Sequence, residues 1–107
     1  MSLDIYLMEM RPVEVFETNI THNLNRMAKA AGIYKHLWRP EEIGIAKACD
    51  LIEPLSAARD KMLANPDKYK QFDASNGWGT YEQFVPWLER YLDACRTFPN
   101  AQIQVSR

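Results

Sequence analysis

Ala101-Gln102-Ile103-Gln104-Val105-Ser106, near the C-terminal end of the 107-residue sequence, alternates apolar and polar side chains with a period of two. Successive side chains of a strand point to opposite faces, so this segment buries Ala101, Ile103 and Val105 and leaves the other three in water. The same pattern stands at the other end of the chain, where Leu3, Ile5 and Leu7 alternate with Asp4, Tyr6 and Met8, and predicts a strand over residues 3–9. Two half-buried strands at opposite ends need a common cover, and the residues between them have helical periodicity. A small antiparallel or mixed sheet made by both termini and packed on three to four helices buries every apolar stripe at once, which makes the expected class α+β in a single domain spanning 1–107. A helical bundle with a peripheral hairpin is the alternative.

Met10-Arg11-Pro12 interrupts the first strand, because proline fixes its own φ and has no N–H to donate. Val13 to Thr18 resumes an extended pattern rich in β-branched and aromatic residues, as the second arm of a hairpin or the continuation of one bent strand. Thr21 is placed to cap a helix carrying Leu24, Met27, Ala28 and Ala31, which Gly32 ends in the left-handed conformation. Tyr34 to Trp38 is expected to be a linking turn. Pro40-Glu41-Glu42 then opens a helix with proline at its first position and carboxylates at the positive end of its dipole. That helix is expected to run through Ile45, Cys49 and Ile52, kink at Pro54, and keep one apolar stripe of Leu51, Leu55, Ala58 and Met62 across the kink. Asn65-Pro66 stops it, and residues 66–72 add a helical turn.

Asp73 to Gly79 is the main loop, with Asn76-Gly77 as its turn signal. Thr80 and Gln83 have the spacing of a capping box, in which each side chain satisfies the other's backbone donor. The helix that starts there buries Tyr81, Phe84, Val85, Leu88, Tyr91, Leu92 and Cys95, with Pro86 costing one hydrogen bond. Trp87 falls off the centre of this stripe and is read as a boundary residue, either shielding the core edge or meeting a partner.

Composition narrows the classes. Apolar residues make up 47% and charged residues 25%, ordinary values for a globular fold, and the net charge of -1 with interspersed signs does not favour nucleic acid as a partner. No apolar run approaches the roughly 20 residues that span a bilayer, and Asp4 and Glu9 interrupt the N-terminal stretch where a secretory signal would be apolar. The expected location is cytoplasmic, without membrane insertion. Cys49 and Cys95 match neither a metal knuckle nor a disulfide framework and are expected to be buried free thiols.

The blocks Ile20-Thr21-His22-Asn23-Leu24, Leu37-Trp38-Arg39-Pro40-Glu41-Glu42, Asn76-Gly77-Trp78-Gly79-Thr80-Tyr81-Glu82 and Ile103-Gln104-Val105-Ser106-Arg107 resemble those of a family of small uncharacterised proteins common in bacteriophage and prophage genomes. The resemblance covers nearly the whole chain, Pro86 departing from the helix-compatible residue expected there. It implies an accessory protein of an infected cell. Proteins of that kind often bind and block a host component, and some sequester nucleotide signals.

The candidate ligand-binding residues are Thr21, His22, Asn23, Trp38, Arg39, Asn76 and Trp78. A tryptophan can stack a planar group, and an arginine can hold a phosphate or carboxylate bidentately. Caps, turns and core aromatics explain the same residues without a ligand. His22 is the candidate acid or base if the chain is an enzyme, but no nucleophile stands at a motif spacing from it. Neither a metal-ligand spacing nor a cofactor fingerprint is present, so no metal and no cofactor is expected. The first functional reading is a non-enzymatic binding protein whose partner is a host protein or a small anionic ligand such as a nucleotide. The alternatives are a small enzyme acting on a nucleotide through His22, and a structural or assembly component of the phage. A symmetric homodimer using Trp87 and Phe98 as a shared apolar patch is a further expectation.

Overall fold

A computed structural model describes residues 2–8 and 14–107. Strands β1 (Ser2–Met8), β2 (Glu14–Thr21) and β3 (Gln102–Ser106) form one antiparallel sheet in the order β2-β1-β3, so both ends of the chain build it and the class is α+β. Leu3 stands opposite Ile20, Ile5 between Thr18 and Val105, and Leu7 between Phe16 and Ile103. Residues opposite one another share a face, and on this face Leu3, Ile5 and Leu7 are 0% exposed. The other face carries Asp4, Asn19 and Ser106 on one rung and Tyr6, Glu17 and Gln104 on the next, which is a solvated surface. The interruption expected at Met10-Arg11-Pro12, with the strand ends expected at Glu9 and Val13, lies outside the described residues. β2 continues past the expected end at Thr18 to Thr21.

Among the described residues the helices are α1 (Asn25–Ala30), α2 (Tyr34–Trp38), α3 (Cys49–Ala64), α4 (Pro66–Lys70) and α5 (Tyr81–Thr97), and none is long and apolar enough to cross a membrane. α3 and α5 pack together, and α5 lies against β2. Trp87 Nε1 donates to Thr18 Oγ1 at 2.8 Å, and Tyr91 stacks on Phe16 with ring centroids 6.3 Å apart. α3 buries Leu51, Leu55, Ala58 and Met62 and runs unbroken through Pro54, so the stripe read across that proline is one helix face. Gly32 ends the first helical segment at φ +80°, with Ile33 N donating to Ala28 O and Gly32 N to Lys29 O. These two bonds make a Schellman cap, for which a left-handed residue is required.

Four expectations are corrected. Tyr34–Trp38 is a helix rather than a linking turn. Pro40 opens only a 3₁₀ turn, Pro40–Ile43, because Gly44 at φ +72° turns the chain and residues 45–47 lie beside β3 before Ala48 enters the next helix. Ile103 N donates to Ala46 O and Ala48 N to Ala101 O, each at 2.9 Å, so backbone pairing with the sheet replaces the helix expected there. Cys49 is exposed, since it begins α3 two residues before Leu51 and so lies on the far side from the stripe; Cys95 is buried. Of its two readings Trp87 takes the shielding one, at 4% exposure under β2, so it supplies no exposed half of the dimer patch expected with Phe98.

Removing residues 101–107 takes away a strand, buried Ala101 and the partly buried Ile103 and Val105. The loss should amount to several kcal/mol against a typical total of about 5–15, and thermal unfolding of the truncated chain measures it; an unchanged melting temperature would contradict the sheet order. The thiols should also separate. Burial pushes Cys95 up to about 12 while Cys49 is exposed, so a disulfide reagent should titrate one thiol in the native protein and two after denaturation.

Candidate functional site

One side chain makes three of the bonds that hold the loop before α5. Gln83 Oε1 accepts from Gly79 N at 3.0 Å and Thr80 N at 3.2 Å, while Gln83 Nε2 donates to Gly77 O at 3.2 Å. The capping box read from Thr80 and Gln83 is formed, and its glutamine reaches further into the loop than the box requires. Ala74 N donates to Gly79 O and Tyr81 N to Asp73 Oδ1, closing the base of the loop at 2.9 and 2.7 Å. At its tip, Asn76 Oδ1 accepts from Trp78 N at 3.0 Å, an Asx turn.

This loop docks on the end of β2. Asn23 Nδ2 donates to Trp78 O at 2.7 Å, and Gly79 is buried against the 21–24 segment. A Cβ at Gly79 would stand 2.9 Å from Asn23 Cβ and 3.3 Å from Thr21 Cγ2, and φ is +112° there, so both space and backbone demand glycine. Thr21 caps a 3₁₀ turn, His22–Leu24, with its Oγ1 accepting from Asn23 N at 3.3 Å; the α-helix begins only at Asn25.

Between the end of β2, the loop and α5 lies an open cleft of about 670 Å³. Ile20, Leu24 and Trp87 supply its apolar lining, and Asn19, Thr21 and Gln83 are among its polar groups. The Trp78 indole is 71% exposed although its backbone is bonded on both sides. Arg90 is the one charged residue lining the cleft, and among the described residues it has no carboxylate within ion-pair distance.

Of the seven candidates, Thr21, Asn23, Asn76 and Trp78 meet at this cleft. His22 faces a second depression of about 670 Å³ on the other side of Asn23 and Asn76, beside Arg26 and Asp73. Its Nδ1 accepts from Trp38 Nε1 at 2.8 Å, so that nitrogen serves a core indole. Trp38 is 2% exposed and stacks on Tyr34 at 5.5 Å. Its carbonyl accepts from Arg107 Nη1 at 2.7 Å, and the same guanidinium pairs with Glu41, whose pKa that hydrogen bond lowers. Arg39 turns to Glu42 at 3.2 Å; hydrogen bonds to Tyr34 and Glu42 raise its pKa. The expected convergence of Trp38-Arg39 with the other blocks is therefore corrected: they belong to an ion-paired corner beside the chain end.

Sequence reasoning missed Asn19, Gln83 and Arg90 as parts of the site. Gln83, Trp87 and Arg90 follow i, i+4, i+7 spacing, which puts them on one helix face, but the sequence does not say that β2 stands opposite. Compared with protein-family models, curated proteins and solved structures, the chain finds no match.

Gly79→Ala should strain the backbone and force Asn23 away, lowering stability by about 1–3 kcal/mol. Native-state hydrogen exchange should show the 74–80 loop and the 21–24 segment opening together, whereas Gly44→Ala should leave both protected.

Proposed function

We propose that the chain is a non-enzymatic binding protein that takes its ligand in the cleft between β2 and α5. The observation that carries this reading is the pairing of an exposed tryptophan, on a loop whose backbone is held, with an unpaired cation across a partly apolar cleft. The Trp78 backbone is already bonded through Asn23 and Asn76, so binding need not order the loop, and preorganisation of this kind lowers the cost of association. A ligand that suits the cleft has a planar or apolar group for Trp78 and an anionic group for Arg90. Nucleotides and small acids meet that description, and so does a segment of a host protein. The likeness of the sequence blocks to phage and prophage proteins supports an accessory role in an infected cell.

A thermal-shift screen of nucleotides, cyclic nucleotides and small acids tests the site. A ligand at 100 times its dissociation constant stabilises by about 2.7 kcal/mol, or roughly 10 °C or more for a domain of this size. Trp78→Ala and Arg90→Ala should each remove the shift without lowering the melting temperature of the free protein, and Arg39→Ala should retain it. A shift that survives both cleft substitutions would place the ligand elsewhere.

A further inference from the structure

The two edges of the sheet are treated differently. Residues 45–48 lie along the outer side of β3, through Ile103 N to Ala46 O and the Lys47–Gln102 bridge. β2 has β1 on one side, and among the described residues no other backbone segment pairs with its second side. Alternate residues of such a strand aim N–H and C=O groups outward, a template for a further strand. The part of β2 that borders the cleft is Asn19–Thr21.

α5 runs antiparallel to β2. Gln83 sits with the loop docked on Asn23, Trp87 meets Thr18, and Tyr91 meets Phe16, so rising numbers in α5 face falling numbers in β2. The helical wall from Gln83 to Arg90 is about 10 Å long at 1.5 Å per residue. Asn19–Thr21 supplies a shorter strand wall of about 7 Å. Trp78 stands at one end of this channel and Arg90 toward the other.

We infer that the cleft takes an extended peptide that adds a fourth strand antiparallel to β2, with an aromatic or large apolar residue against Trp78 and a carboxylate two residues C-terminal to it at Arg90. This rests on the reading of the cleft as the binding site and names its partner class. An open strand edge beside a cleft of mixed polar and apolar lining is an arrangement in which main-chain bonds give affinity and alternate side chains give specificity. β2 runs toward the Trp78 end, so an antiparallel partner runs from Trp78 to Arg90, and antiparallel pairing is the more stable per residue. Residues i and i+2 of the added strand point to the same side about 7 Å apart, and the long Arg90 side chain spans the remaining distance. The acidic requirement follows from charge, since Arg90 is the cleft's one charged residue.

The probe is a labelled library of acetylated, amidated pentapeptides of the pattern x-aromatic-x-acidic-x, measured by fluorescence anisotropy against the full chain. Members should bind, and the reversed pattern x-acidic-x-aromatic-x should bind at least about tenfold more weakly. Arg90→Glu should weaken the forward peptides by a similar factor and gain affinity when lysine replaces their acidic residue. Bound peptide should also slow hydrogen exchange at Asn19–Thr21, which a small anion seated on Arg90 alone would not do. Equal binding of both orders, binding without protection of β2, or no binding by the library would each overturn the inference. If the library fails while a nucleotide gives an Arg90-dependent thermal shift, the cleft stands as a site and only the peptide class falls; if both fail, both readings fall. A dimer that protects the same β2 amides in the absence of peptide would assign the edge to a second copy of the chain instead.

Discussion

Everything in this structure hangs on β1 being paired on both sides while one of its faces is sealed. Leu3, Ile5 and Leu7 have no exposure, and the strands that flank them come from residues 14–21 and 102–106. Neither flanking strand buries a comparable row of its own: β2 contributes Ile20 as its one buried member, and Ile103 and Val105 are only partly covered. Both borrow their cover from β1 and from the helices beneath. A hairpin without a third strand or a helix behind it is marginal in water, which explains why distant parts of the sequence are committed to one layer.

The site inherits its rigidity from a different device. Gln83 belongs to the first turn of α5, yet three of the bonds that shape the preceding loop pass through its amide. Helix start and loop are thus one unit, and Gly79 lets that unit approach the 21–24 segment without a side chain between them. Trp78 is carried to the surface by this docking. A large indole in water needs such support, because nothing about its own burial holds it there.

How far the sequence disclosed this depends on whether the deciding contact is local. Period-two alternation at Leu3–Leu7 and Ala101–Val105 showed both terminal strands, and the α3 stripe was legible across Pro54 because helical spacing on both sides kept one phase. The capping box at Thr80 and Gln83 was equally plain. Gly44 is not legible as a stop because Ile43 and Ile45 around it continue an apolar pattern, and the need to cover β3 lies outside any local window. Trp38 and Arg39 share the composition of the Trp78 block, but a buried indole that has His22 as its acceptor cannot also face a ligand. Arg90 looked like any solvated helix cation; only the position of β2 makes it part of a cleft.

The pairing of Asp4 with Ser106 has a consequence for how the chain is made. Synthesis at about 5–20 residues per second delivers β1 well before the strand that completes its sheet. Until residues 102–106 leave the ribosome, β1 has only β2 beside it, and the helices emerging in between lack the finished layer they pack on. Contacts of such long sequence separation also slow folding in free solution. The nascent chain therefore carries an apolar strand with one unpaired edge until residues 102–106 emerge, and during that interval it is exposed to chaperones and to mispairing with other chains.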